Sequence, residues 1–429
     1  MKRILATFLC LLTLAGLAGC SALPAGNSAA RATILQNGYV NEERNRLLKE
    51  DIAYFASELP KRHKNPFTKL SKEEFQKQTA ALIADIDHLP NAQVFARLAQ
   101  IMASIGDAHT CLNFWDGYNY PLQFYIFDKD VYIVNTEKGM EDLLYQKVIA
   151  VNGMPIAEVL SRLSTIISHE NESWLQNALA KYLASPVYLF GLGIVPDKES
   201  ATFTIESDGA TKEITVPVRY SYQTPVDFCN DTADDVVLGG FSGNYSYEYL
   251  TDANTLYFSY NLCEGKQEFR EFNGRMFEDI ANQDVEKIVL DLRRNPGGNS
   301  EVLNPFTEKL KAYKEEHPAI RVFILTGRAT FSSGMFAIYR TMEAVPDAIS
   351  VGEPTGGALD CFGDIKTFTL PNSQIPIQYS TKYFTFTKTF SYKNKGTDTF
   401  IPDVPLSPTI EDYKTGNDVV LNYALSYGE

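Results

Sequence analysis

Between Glu286 and Leu292 the chain reads Glu-Lys-Ile-Val-Leu-Asp-Leu, an almost unbroken apolar run that ends at Arg293-Arg294-Asn295-Pro296-Gly297-Gly298. A strand that is apolar on both faces must be covered on both faces, which selects a buried, mostly parallel sheet with helices above and below it. The flanking pattern agrees. Thr255–Phe258, Arg321–Thr326 and Ala348–Val351 read as further strands, and Gln267–Ala281, Ser300–Tyr313 and Ser333–Ala344 as helices between them. The C-terminal part is therefore expected to be an α/β domain. In such sheets ligands bind where the carboxyl ends of the strands meet the loops. The loops 293–299 and 327–333 lie at such ends.

Upstream the pattern changes. Leu47, Leu48, Ile52, Phe55 and Leu59 fall at helical spacing. Ser71-Lys72-Glu73-Glu74 has the form of a capping box and opens a run through Leu82, Ile83, Ile86 and Leu89. Pro90 stops that run, and Asn91 is a candidate cap for a third helix through Val94, Leu98, Ile101 and Met102. Residues 40–117 thus read as an N-terminal helical domain. From 118 to 222 short strands surround one helix near 157–167, and Asp208-Gly209 reads as a hairpin turn. The string Val148-Ile-Ala-Val-Asn-Gly-Met-Pro155 resembles a stretch of PDZ domains, so this segment is read as a small PDZ-like β-rich domain. Residues 223–429 remain for the α/β domain.

The N-terminus sets the expected compartment. Lys2 and Arg3 precede an apolar run from Ile4 to Ala18, too short to span a hydrocarbon core of ~30 Å and suited to the central region of a signal peptide. The run ends at Leu17-Ala18-Gly19-Cys20, which resembles a bacterial lipobox. That resemblance implies removal of residues 1–19 and lipid attachment at Cys20, with residues 20–39 as a tether rich in Ala, Ser and Gly. The expected location is extracytoplasmic, on a bacterial membrane through the lipid alone. An oxidising location permits disulfides among Cys111, Cys229, Cys263 and Cys361, with the pairing open. The net charge of −14, without any compensating basic run, argues against nucleic acid as a partner. No clustered Cys/His spacing marks a metal site.

Ser333 is the leading nucleophile candidate. It lies in Thr326-Gly-Arg-Ala-Thr-Phe-Ser-Ser-Gly334, where an apolar strand passes into a helix. A serine there sits among unpaired backbone N–H groups that can stabilise an oxyanion. Taken alone, Ser332 or Ser333 could equally be an ordinary helix cap. The adjacent glycines at 297 and 298 allow backbone N–H groups to approach a substrate without a Cβ in the way.

Together, the Asp291-Leu-Arg-Arg-Asn-Pro-Gly-Gly298 loop, the Ser332-Ser333-Gly334 loop and Val351-Gly-Glu-Pro-Thr355 resemble the C-terminal-processing and tricorn-type serine peptidases, the tail-specific protease family. Pro402-Asp403-Val404 matches a weaker late element. The resemblance implies a crotonase/ClpP-like catalytic domain with Ser333 as nucleophile. It also implies an oxyanion hole from the N–H of Gly334 with one from Gly297 or Gly298, and no cofactor. Ala358 stands where the C-terminal-processing branch has its lysine base, so the base is sought among five histidines. His109, in Gly106-Asp-Ala-His-Thr110, resembles the histidine segment of the tricorn branch. A neutral imidazole can accept a serine proton near pH 7. His63, in Lys-Arg-His-Lys, and His88, closing a helix, read as structural.

The third, orienting carboxylate is missing. The matching context reads Lys393-Asn-Lys-Gly396, leaving Asp398 as the nearest alternative and Glu353 behind it. Competing signatures fail: Gly240-Phe-Ser-Gly-Asn244 is not a nucleophile elbow, and no HExxH or Walker motif is present. The reading is an extracytoplasmic, lipid-anchored serine endopeptidase acting on peptides or unfolded proteins. The alternative is a non-proteolytic peptide or ligand binder on the same fold.

Overall fold

The computed structural model describes residues 31, 34, 40–112, 114–207, 209–220, 225–230, 243–390 and 397–428. Cys20 with its lipobox, the tether apart from residues 31 and 34, and the Lys393–Gly396 string lie outside the described residues.

Three helices, Glu42–Arg62, Lys72–Asp85 and Asn91–Ala103, form the N-terminal segment. Ser71 caps the second as its sequence suggests, its hydroxyl accepting the Glu74 N–H at 3.0 Å. Asn91 does not cap the third. It is the first helical residue, and its side-chain oxygen accepts from Arg44 Nε at 2.9 Å. Arg44 is fully buried, so its guanidinium must be saturated; Asn45 and the carbonyls of Ile86 and Leu89 supply the remaining acceptors.

The next segment holds β1 Tyr118–Asn119, β2 Leu122–Phe127, β3 Asp130–Thr136, β4 Lys147–Val151, β5 Met154–Pro155, β6 Ser200–Ser207, β7 Ala210–Pro217 and β8 Arg219–Tyr220. An antiparallel sheet runs β2-β3-β4-β6-β7, and Ser207 pairs with Ala210 at the predicted hairpin. The single expected helix is joined by two more, so Ile156–Ser164, Glu172–Tyr182 and Pro186–Gly191 all pack here. This segment and the N-terminal helices share one hydrophobic core.

The C-terminal segment holds β9 Tyr245–Leu250, β10 Thr255–Tyr260, β11 Lys287–Asp291, β12 Arg321–Thr326, β13 Ile349–Gly352, β14 Asp360–Thr369, β15 Pro376–Thr385 and β16 Val404–Pro405. Its main sheet has the order β16-β13-β12-β11-β10-β9, parallel throughout except for β9 at one edge. Alternate residues serve opposite faces. Ile288, Leu290, Val322 and Ile324 pack with Phe269, Phe306 and Ile338 of three covering helices. Val289, Phe323, Leu325 and Val351 face Val420 and Ala424 of the helix Val419–Leu425.

The hairpin β14–β15 leaves this sheet and crosses to the N-terminal helices. Leu370, Ile375 and Ile377 enter their core. Cys111 and Gln378 exchange backbone hydrogen bonds at 3.2 and 3.1 Å, and the Lys64 N–H donates to the Ser380 carbonyl at 2.9 Å. This crossing holds residues 107–112 against the α/β domain.

Candidate active site

The loop after β11 is held by a buried charge cluster. Arg293 pairs with Asp291 at 2.6 Å and with Asp418 at 2.8 Å, all three nearly without solvent contact. A buried ion pair is tolerated when its remaining hydrogen-bonding groups are also satisfied. Here they are, and the pairing ties the loop to the C-terminal helix. Asn295 turns the chain: its Nδ2 donates to the Tyr260 carbonyl at 2.7 Å and its Oδ1 accepts the Gly297 N–H at 2.9 Å. Gly297 and Gly298 have φ of +111° and +125°. A Cβ at Gly297 would stand 2.7 Å from the Ser332 Cβ, and one at Gly298 2.5 Å from the Cys263 carbonyl oxygen, so both positions require glycine.

The loop after β12 is braced against the first. Phe331 N–H donates to the Asn295 carbonyl at 2.9 Å, and Thr330 Oγ1 donates to the Leu292 carbonyl at 2.8 Å. Ser332 has φ +51° and ψ −118°, and the Gly334 N–H closes onto the Phe331 carbonyl at 2.8 Å. This is a type II′ turn with a serine where glycine is preferred. The strain sits next to Ser333, which opens the helix Ser333–Ala344 and is buried. Ser333 Oγ donates to the Gly298 carbonyl at 2.6 Å.

The expected oxyanion donors are corrected in part. The N–H groups of Gly297 and Gly334 are both engaged, with Asn295 Oδ1 and the Phe331 carbonyl, because each closes a tight turn. The parallel bridge to Cys263 uses the N–H groups of Cys263 and Asn299, and among the described residues the N–H of Gly298 has no acceptor. Among the described residues the N–H of Ser333, at the first turn of its helix, also has no acceptor, as helix geometry leaves it.

His109 reaches the same loop from far upstream. Its ring stacks on Phe331 with centroids 4.4 Å apart, and Phe331 stacks in turn on Trp174 at 4.1 Å. The imidazole is buried, and among the described residues neither ring nitrogen has a hydrogen-bond partner. Burial pushes its pKa below the ordinary 6.5, while the negative Asp107 works in the opposite direction. Burial thus favours the neutral form of an imidazole packed against the loop that carries Ser333. His109 makes no hydrogen bond to Ser333, whose hydroxyl is turned to Gly298.

Neither candidate for the third carboxylate serves His109. Asp398 is exposed, and its backbone carbonyl accepts the Leu359 N–H at 2.9 Å. Glu353 is buried in a pair with Arg328 at 2.7 Å and accepts the Tyr125 hydroxyl at 2.9 Å. Among the described residues the carboxylate within ion-pair range of the imidazole is Asp107, with Oδ1 3.9 Å from Nδ1. His63 is structural, as read from the sequence: its Nε2 lies 2.8 Å from Asp107 Oδ2, with both side chains fully buried. A second buried carboxyl, Glu170, has no hydrogen-bond partner among the described residues and lies beside a 360 Å³ pocket lined also by Lys69, Ala358 and Asp398. Ala358, at the lysine position of the processing branch, is buried.

No disulfide joins Cys111, Cys229, Cys263 and Cys361. Among the described residues no group of three His, Cys, Asp or Glu side chains is arranged to hold a metal ion, and no helix is long and apolar enough to cross a membrane.

No protein-family model and no curated protein matches the sequence. Solved structures do match. The crystal structure of mature CPAF aligns with a TM-score of 0.61 at 13% identity, covering 90% of this chain and 99% of that one. A CPAF structure with a serine-to-alanine substitution gives 0.62 at 12% identity over the same shares. The photosystem II D1 C-terminal processing protease aligns over 88% of this chain and 97% of that one, at 12% identity and a TM-score of 0.41. The chain has the fold of CPAF over nearly the full length of both molecules, and the expected α/β class with its mostly parallel sheet is met.

Proposed function

We propose that the chain is a serine-type endopeptidase of the C-terminal-processing and tricorn type, with Ser333 as nucleophile and His109 as general base. One observation carries the reading. A buried imidazole, its nitrogens without a hydrogen-bond partner among the described residues, is packed on the loop that presents a serine at a helix N-terminus.

Rotation of Ser333 Oγ away from the Gly298 carbonyl frees it to attack a peptide carbonyl, its proton passing to His109. The N–H groups of Ser333 and Gly298 receive the oxyanion, and His109 returns the proton to the leaving amine. Water then repeats the sequence on the acyl-enzyme. The substrates are peptides or unfolded proteins. The lipobox-like Leu17–Cys20 supports a place outside the cytoplasm on a lipid anchor, and Cys20→Ala should release the protein from the membrane fraction with its activity intact.

Cleavage of a fluorescently labelled unfolded protein tests the activity. Ser333→Ala and His109→Ala should each lower kcat/KM by ~10³-fold or more, and the double variant should be little worse, because the two act as a unit. Ser332→Ala should cost far less. Wild-type protein that cleaves nothing and reacts with no serine-directed probe would return the reading to a binding protein on this fold.

A further inference from the structure

We infer that Asp107 is the residue that positions and balances the charge of His109, and that His63 is the neutral clamp holding Asp107. The inference rests on His109 acting as the base. Asp107 Oδ1 accepts the backbone N–H of His109 at 2.8 Å and faces that residue's Nδ1 at 3.9 Å, while Oδ2 takes Thr110 Oγ1 at 2.6 Å and His63 Nε2 at 2.8 Å. One carboxylate thus sits between two buried histidines.

The roles of the two histidines are fixed by their other contacts. His63 Nδ1 accepts the Asn65 N–H at 3.0 Å, so its proton resides on Nε2 and points at Asp107. His109 has no such second partner among the described residues. A proton on its Nδ1, facing Asp107, leaves Nε2 to accept from Ser333. Once that proton is taken, an imidazolium stands in a buried site. A shift of ~1 Å closes Nδ1–H onto Oδ1, in keeping with catalytic hydrogen bonds that tighten only as the reaction proceeds. The carboxylate keeps its charge and takes no proton.

Asp107 is suited to this. Burial would raise its pKa, but the hydrogen bonds from His63 and Thr110, joined by the charge of His109 once that ring is protonated, hold it below the ordinary carboxylate range. The other titratable groups coupled to it are Glu170, Cys111 and Cys361, all pushed toward their neutral forms by burial. Among the described residues no other carboxylate lies within ion-pair range of the imidazole.

The rate at which a fluorophosphonate modifies Ser333 reads this out without a known substrate. Asp107→Asn should slow it ~10³-fold or more, as expected when the carboxylate behind a catalytic histidine is lost. NMR titration should show the His109 pKa falling further below its wild-type value, a change that a purely structural role would not produce. His63→Gln, which keeps a donor to Oδ2, should cost less than His63→Leu. If Asp107→Asn does not fold, wild-type protein carrying the phosphonate still decides the matter: a strongly downfield His109 Nδ1 proton is expected, and its absence overturns the inference. Asp107→Asn that folds and reacts at the wild-type rate overturns the inference alone. Wild-type protein that never reacts overturns the peptidase reading and this inference with it.

Discussion

The imidazole of His109 lies on the ring of Phe331 at 26° between planes, and Phe331 lies on Trp174 at 15°, so a three-ring stack holds the imidazole against the loop that carries Ser333. The stack both places the imidazole and keeps water from it.

Phe331→Leu should therefore act on the base in two ways. Loss of placement should lower kcat/KM by about 10²-fold, the scale of a ~1 Å displacement of a reacting group. Admitting water should also relieve the burial that depresses the His109 pKa. The base is active when neutral, so wild-type kcat/KM should fall on acidification only below pH 6.5, and the variant's fall should move to higher pH. An unchanged pH profile would mean that the stack does not control the base.

Ser332 holds a left-handed backbone at φ +51° that glycine adopts without penalty. Ser332→Gly should stabilise the fold by about 1 kcal/mol, and Ser332→Val should destabilise it by a similar amount, in equilibrium chemical unfolding. If the glycine variant is the less stable of the two, the strain assigned to this turn is wrong.

Burial, and then the negative Asp107, push the Glu170 carboxyl up to about 8 from an ordinary 4.5. Between those values the unfolded chain is ionised while the folded chain keeps its proton, so this group costs stability as pH rises through that window. Glu170→Gln removes the cost. Its Tm should equal that of the wild type near pH 4 and exceed it at pH 8; a difference independent of pH would show that Glu170 is already ionised in the fold.

The parallel sheet and its two loops were legible because strands buried on both faces announce themselves as continuous apolar runs, as at Ile288–Leu292. Ser333 was legible for a similar reason, as the junction between such a strand and a helix. The environment of His109 was only half legible. Its own segment carried a signal, but His63 comes to it from the end of the helix Glu42–Arg62 and Phe362 from β14, whose ring lies 5.1 Å from that of His63. Contacts between elements so far apart leave no local spacing to read. The carboxylate nearest the imidazole, Asp107, lies two residues before it in sequence, whereas the late motif points to the region near residue 396. The Gly297 and Gly334 donors failed because their engagement depends on turn closure by Asn295 and Phe331, which residue type alone does not disclose.

The pairing of Ser333 with His109 is tested most directly by mapping a fluorophosphonate adduct by peptide mass spectrometry in wild-type and His109→Ala protein. The structure predicts a single adduct on Ser333 in the wild type, with its formation slowed by ~10³-fold or more when the imidazole is removed. An adduct on Ser332, or labelling of Ser333 at an undiminished rate without His109, would contradict it.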